Sequence, residues 1–91
     1  MAVQCASFPM GAVVITPNAL GQLTPGDVQL GLQRHQAGDW GDLGEEDWKE
    51  NDDAVVNGRR LLSSYRSGGV VFWIITEADR SATTVLMPDD Y

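Results

Sequence analysis

The sequence is poor in the residues on which disulfide frameworks and zinc sites depend. It contains one cysteine, Cys5, and one histidine, His35. A disulfide needs two cysteines and a structural zinc site needs four Cys or His ligands, so neither is predicted. No phosphate-binding loop, dinucleotide fingerprint or nucleophile elbow occurs either. We therefore expect no metal site and no cofactor, and the lone cysteine favours a reducing cytoplasm.

Long apolar runs are also missing. The first residues, MAVQCASFPMGAVVITP, lack a basic start and lack the ~20 consecutive apolar residues that span a bilayer. We expect neither a signal peptide nor contact with a membrane. A chain of 91 residues is predicted to form a single domain over residues 1–91 with one modest core.

Basic residues are scarce in one stretch, and this makes the charge uneven. The formal net charge is −7, and eight of the thirteen acids lie between Asp39 and Asp53 against Lys49 alone. The other five acids are balanced by five arginines. Such a concentrated negative charge disfavours binding to nucleic-acid phosphates and favours a protein partner with a basic surface. The candidate interaction residues are Asp42, Glu45, Glu46, Glu50, Asp52 and Asp53.

The strongest structural signal is the apolar run from Val70 to Thr76. Its β-branched and aromatic residues predict an interior strand. A polar connection follows, and residues 83–87 predict a returning strand that ends before Pro88. Residues 59–66 alternate in polarity, which predicts a further strand joined to Val70 by Ser67-Gly68-Gly69.

The N-terminal half predicts one strand and two helices. AVVIT, residues 12–16, is short and β-branched, and Pro17 ends it. The pairs Thr16-Pro17 and Thr24-Pro25 match an N-cap followed by proline, which predicts a short turn over 17–22 and a helix over 25–37. Three acids after Gly44 predict a second helix that ends at Asn57-Gly58.

These elements predict an α+β fold with two layers, in the order β-α-α-β-β-β. An antiparallel sheet of three to four strands, ending in a C-terminal meander, is packed by two helices on one face. The pattern leaves open whether the first strand joins the meander. The residues expected to be mostly buried are Leu61, Phe72, Trp73, Ile74, Ile75 and Val85.

His35 and Asp39 lie four residues apart at the predicted end of the first helix. A histidine paired with a carboxylate can act as a general base. The alternative is that His35 is partly buried in the core and that Trp40 fills the space beside it. The second arrangement is more common for a helical histidine.

Polar residues gather at the end of the C-terminal hairpin. An arginine beside carboxylates and hydroxyls can bind an anion or a partner carboxylate. Turn formation alone also explains such residues. We favour an Arg80 held in place by Glu77, Asp79 or an acid of the second helix. The candidate residues here are Glu77, Asp79, Arg80, Thr83 and Thr84.

Several segments resemble a family of small uncharacterised bacterial proteins often carried on plasmids and other mobile elements. They are RHQAGDWG (residues 34–41), KENDDAVVNG (49–58), RLLSSY (60–65) and WIITEADRSATTVLMP (73–88). The resemblance covers roughly the last two-thirds of the chain. It implies a bacterial setting and mobile-element biology but no catalytic residue.

Three functional hypotheses follow. The first is a non-enzymatic interaction or regulatory protein whose acidic second helix binds a basic protein partner. The second is a small ribonuclease-like or nucleotide-handling enzyme that uses His35 and Arg80 together with Thr83, Thr84 and Tyr91. The third is a self-associating homo-oligomer, because a sheet has edges and the chain has three tryptophans.

Overall fold

The computed structural model describes residues 8–91 and confirms the α+β fold and the predicted order of elements. A short helix forms where the sequence predicted a turn after the first strand. The elements are β1 (Ala12–Ile15), α1 (Pro17–Gln22), α2 (Pro25–Gln36), α3 (Glu45–Asn57), β2 (Leu61–Ser67), β3 (Val70–Thr76), β4 (Ala82–Leu86) and a 3-10 turn (Pro88–Asp90).

The sheet has the strand order β1-β4-β3-β2 in the part of the chain that the structure describes. The meander β2-β3-β4 is antiparallel, with Tyr65 opposite Phe72 and Ile74 opposite Val85. β1 joins the meander beside β4 and runs parallel to it, so the sheet is mixed. The sheet edges are therefore β1 and β2.

The first two helices begin at the predicted threonine caps, each followed by a proline. The Thr16 and Thr24 hydroxyls each accept a hydrogen bond of 3.1 Å from a backbone N–H, of Ala19 and Asp27 respectively. Proline follows each threonine at the start of the helix, where its missing N–H costs nothing. α3 ends at Gly58, whose φ of 72° is left-handed and suits glycine.

All the long helices pack on one face of the sheet. α2 covers Tyr65, Phe72 and Ile74, while Ala54 of α3 packs with Leu61, Trp40 and Phe8 on the same face. The predicted burial of Leu61, Phe72, Ile74, Ile75 and Val85 is confirmed. The predicted burial of Trp73 is wrong, because its side chain is only half-buried. It lies on the opposite face of the sheet, where its ring packs edge to face on Tyr91 at 5.8 Å.

Candidate functional site

His35 lies at the centre of a buried polar cluster between α2 and the sheet. The last turn of α2 carries the ring over β2 and β3, where it is fully buried. Its Nδ1 lies 2.5 Å from Ser63 Oγ, and its Nε2 lies 2.9 Å from Thr76 Oγ1. The rings of Phe8 and Trp40 pack on it edge to face at 5.4 and 5.5 Å. Both ring nitrogens are therefore bonded inside the protein.

The cluster continues across the sheet as a chain of hydroxyls. Thr76 Oγ1 lies 2.7 Å from Thr83 Oγ1, and the Thr83 hydroxyl donates to the Met10 carbonyl oxygen at 2.8 Å. Each hydroxyl has one proton, so Thr83 must accept from Thr76, and Thr76 must in turn accept from His35. The neutral imidazole therefore carries its proton on Nε2, and its Nδ1 accepts from Ser63.

Burial keeps this imidazole neutral. It lowers the pKa of His35 to about 4, chiefly because the charged ring would lose its hydration, with a further contribution from the positive charge of Arg80. A fully buried ring with both nitrogens bonded has no free position for a substrate proton. The geometry favours the core histidine interpretation over catalysis by His35.

The structure does not pair His35 with Asp39. Arg34 instead donates two hydrogen bonds to the Asp39 carboxylate, at 2.8 and 3.2 Å. These bonds lower the pKa of Asp39. The Tyr65 hydroxyl donates to the Asp39 carbonyl oxygen at 2.6 Å, and the Arg34 guanidinium lies 4.6 Å from the centre of the Tyr65 ring. Arg34, Asp39 and Tyr65 thus fix the loop after α2.

Arg80 is held in place, but by main-chain oxygens rather than carboxylates. Its guanidinium donates to the carbonyl oxygens of Arg59, Ala54 and Glu77 at 2.7, 3.0 and 3.1 Å. These bonds join the end of α3 and the start of β2 to the β3-β4 turn. Arg80 itself has a left-handed φ of 61°, which is uncommon for a residue with a side chain. The arrangement is that of a structural clasp.

The other residues of the hairpin end are dispersed. The Ser81 hydroxyl, and after it the Ser81 backbone N–H, lower the pKa of Asp79 by hydrogen bonding to its carboxylate. The bond from the N–H is 3.0 Å long. Glu77 lies 4.0 Å from Arg60 in an exposed ion pair. Thr83 lies in the buried hydroxyl chain, whereas its neighbour Thr84 points to the opposite face of the sheet. These groups do not converge on one site.

The acidic stretch borders a groove of about 540 Å³ beside the β2 edge, on the face of the sheet that points away from His35. α3 contributes two acids and Asn51 on one side, and β2 and β3 contribute Leu62, Ser64 and Trp73 on the other. One basic residue, Arg60, also lines the groove. Asp42 and Glu50 of the predicted interaction set line the groove, whereas Glu45, Glu46, Asp52 and Asp53 do not. The lining residues are Asp42, Leu43, Asp47, Glu50, Asn51, Arg60, Leu62, Ser64 and Trp73.

Several of these acids have partners within the chain. Asp53 forms an ion pair with Arg59, Asp42 lies 3.8 Å from Arg66, and Asp52 accepts from Trp40 Nε1 at 2.9 Å. Within residues 8–91, no basic side chain forms an ion pair with the remaining acids of α3. Those acids are Glu45, Glu46, Asp47 and Glu50.

The predicted interaction set left out Asp47, and sequence reasoning supplied no hydrogen-bond partner for Asn51, which it places on the inner face of α3. Asn51 Nδ2 donates to the Leu62 carbonyl oxygen at 2.8 Å, and its Oδ1 accepts from the Leu62 N–H at 3.1 Å. The amide thus replaces a neighbouring strand at the edge of β2. Asp47 lies one turn before Asn51, so the i, i+4 spacing places both on the same side of the helix. That spacing was the available signal.

Neither a metal cluster nor a membrane helix occurs in the described region. Between residues 8 and 91, no group of three or more His, Cys, Asp or Glu side chains lies close enough to hold a metal ion. None of the helices described there is long and apolar enough to cross a membrane.

The chain is similar to a bacterial protein of much greater length. A stretch of 58 residues, 64% of the chain, is 34% identical to an uncharacterised 55.8 kDa protein in the cps region of Klebsiella pneumoniae. The similarity covers 12% of that protein. No family model matches the chain. No solved structure matches it either.

Proposed function

We propose that this protein is a non-enzymatic interaction module that binds a basic protein segment in the groove beside α3. The observation that carries the proposal is the position of Asp47 and Glu50. Both line the groove, and neither forms an ion pair with any basic residue that the structure describes. Their charge is therefore available to a partner.

The composition of the groove indicates the chemistry of that partner. Leu62 and half-buried Trp73 offer apolar surface next to the carboxylates of Asp47 and Glu50. An arginine or lysine of the partner would pack its aliphatic stem on the apolar side, place its charge near the acids and contact the indole through a cation-π interaction. Nucleic-acid phosphates would be repelled by the same carboxylates.

The setting that we propose is regulation within a bacterial mobile element, in the cytoplasm. The resemblance of RHQAGDWG and WIITEADRSATTVLMP to plasmid-borne proteins supports this setting. The similar Klebsiella protein is bacterial and much longer, which supports use of this type of sequence as one module among others.

The first experiment measures binding of a fluorescein-labelled peptide in which arginines alternate with leucine and tyrosine. Wild-type protein is expected to bind it at low salt and to bind poorly to the same peptide with glutamate in place of arginine. The variant Asp47→Asn/Glu50→Gln should lower the affinity about tenfold, which is roughly 1.4 kcal/mol. Anisotropy provides the affinity, and circular dichroism checks the fold.

The matched control is Glu45→Gln/Glu46→Gln. It removes the same charge from the same helix, but neither residue lines the groove. Affinity should fall less than about threefold in this control, since only long-range attraction is lost. If the peptide binds in the groove, it should change the tryptophan fluorescence of the wild-type protein. The second control, Trp73→Phe, should abolish that change, because it removes the tryptophan that lines the groove. Equal losses in both charge variants, or no binding by wild type, would contradict the proposal.

A further inference from the structure

The outer edge of β1 presents unused backbone groups. The N–H groups of Ala12 and Thr16 point inward and donate to the Ser81 and Val85 carbonyl oxygens at 3.1 and 3.0 Å. Because backbone groups alternate in direction along a strand, the N–H and C=O of Val13 and Ile15 point outward. In the described part of the chain, no backbone or side-chain hydrogen bond reaches these outward groups.

The side chains of this edge are apolar and accessible. Val13 and Val14 are each 47% exposed, and β1 contains no charged residue or proline that would block strand pairing. A groove of about 380 Å³ lies beside the strand on the face covered by the helices. It is lined by Ile15, Leu20, Leu23, Pro25, Val28, Gln29 and Leu32.

We propose that β1 pairs antiparallel with β1 of a second copy of this chain, which extends the sheet across a two-fold axis at Val14. In this register Val13 lies opposite Ile15 of the second copy, and the outward groups of both residues exchange hydrogen bonds. Residues opposite each other in antiparallel strands face the same side. The second copy's Val13 therefore lies beside the apolar groove next to Ile15.

The charge distribution supports a second copy as the partner. A net charge of −7 opposes self-association wherever the acidic stretch is near the interface. That stretch lies beside β2, which is the opposite edge of the sheet from β1. β1 and α1 contain no charged residue, and the Asp90 carboxylate, which bonds Thr16 and Asn18, lies at the end of β1. Two copies therefore meet there with less repulsion than they would at the acidic stretch.

Cysteine cross-linking tests the register. Val14 and Val14 of the second copy form a non-hydrogen-bonded pair, for which the Cα atoms lie about 4.5 Å apart, within disulfide range. In a Cys5→Ser background, Val14→Cys should form an intermolecular disulfide under mild oxidation. Ala12→Cys is the control, because the same register separates its two copies by roughly 13 Å. Equal cross-linking of both variants would overturn the proposed register.

A backbone variant tests the hydrogen bonds. Val13→Pro removes an outward N–H that makes no bond to any residue between 8 and 91, and edge strands tolerate proline at such positions. Sedimentation analysis should show a dissociation constant at least about tenfold weaker than for Val13→Ala, which keeps the N–H. Circular dichroism checks that both variants are folded.

The salt dependence separates this interface from one formed by α3. Pairing through β1 should change little between low and high salt, whereas a dimer that brings the acidic helices together would be strengthened strongly by salt. A wild-type chain that stays monomeric up to millimolar concentration would overturn the proposal. So would a dimer that Val13→Pro leaves unchanged.

Discussion

The two edges of the sheet are treated in opposite ways. At β2, the Asn51 amide bonds both outward groups of Leu62, and Ser64 donates to the Trp40 carbonyl and accepts from the Asp42 N–H. At β1, the outward groups of Val13 and Ile15 have no such cover among the residues described. Proteins usually protect sheet edges against unwanted pairing. Among residues 8–91 only one edge is protected, which is the pattern expected if β1 pairs with a second copy as proposed above.

Gly41→Ala should give the largest effect, because it breaks the cover of β2. Gly41 has a φ of 79° and forms a bridge with Ser64. An added methyl would overlap the Ser64 carbonyl oxygen and lie 2.7 Å from the Tyr65 ring. We expect a loss of about 3 kcal/mol in the free energy of unfolding, measured by urea denaturation.

Gly21→Ala is its control on the β1 side of the molecule. The added methyl group meets no atom within 4 Å. The variant should stabilise the protein by up to about 1 kcal/mol, because alanine favours the helix over glycine. A small loss for Gly41→Ala would show that the loop at Gly41 can move away from β2.

Acidification should weaken the buried cluster that supports β2 and β3. The unperturbed histidine pKa is about 6.5 and that of His35 is about 4, so the folded state favours the neutral ring. The contribution of neutral His35 to the free energy of unfolding is complete above pH 6.5 and is lost as the pH falls toward 4. The total loss is on the order of 3 kcal/mol.

Unfolding free energies measured at a series of pH values test this dependence. The unfolding free energy of the variant His35→Gln should stay constant between pH 6.5 and about 4.5. It should fall only at lower pH, where the carboxylates are protonated. Wild-type protein that shows no slope in this interval would contradict the neutral, buried assignment of His35.

Asn51→Ala should remove the side-chain cover of Leu62 while leaving the helix intact. The Leu62 N–H and C=O lose their partners close to the core, and we expect a cost of about 2 kcal/mol. Hydrogen exchange should also show faster exchange at the Leu62 amide. Asn57→Ala, an exposed change in the same helix, should cost within about 0.5 kcal/mol. Equal costs would mean that the Asn51 amide does not stabilise the edge.

Arg80→Ala should cost about 1 to 2 kcal/mol, because it removes charge-assisted bonds to three carbonyl oxygens. Arg80→Gly should cost less, since glycine suits the left-handed backbone at this position. Binding of the arginine peptide should not change in either variant. Arg66→Ala is the control, because its exposed ion pair with Asp42 is worth little. Lost peptide binding with stability retained would instead indicate a binding role for Arg80.

Val13→Thr should have the smallest effect. The residue is half exposed at the open edge, so we expect a change in unfolding free energy within about 0.5 kcal/mol. The same substitution at fully buried Val85 places a hydroxyl in the core and should cost more than about 1 kcal/mol. Similar costs at the two valines, measured in the same urea series, would show that β1 is more enclosed than its exposure indicates.

Most of the fold could be predicted because its signals are local. Thr16-Pro17, Thr24-Pro25 and Asn57-Gly58 mark helix ends within a few residues, and the run from Val70 to Thr76 identifies a strand by composition. The parallel pairing of β1 with β4 depends on residues about seventy positions apart. No local pattern specifies such a contact.

The site was harder to predict for the same reason. His35 and Thr83 could be selected as polar candidates, but their connection through Thr76 depends on the strand register. The partners of Arg80 are backbone carbonyls, which carry no residue signature. Likewise the acidity of α3 is evident in the sequence, whereas only the folded chain places Asp47 at the groove.

The one-way order of donors from Ser63 through His35 and Thr76 to Thr83 has an evolutionary consequence. Ser63 donates to His35, each following position accepts from one neighbour and donates to the next, and the chain ends on the Met10 carbonyl. Replacing one hydroxyl by a methyl would leave a neighbour without a partner in the core. Substitutions at these positions are therefore expected to occur together during divergence, or to exchange the whole polar set for apolar residues. Relatives that retain His35 should retain both threonines.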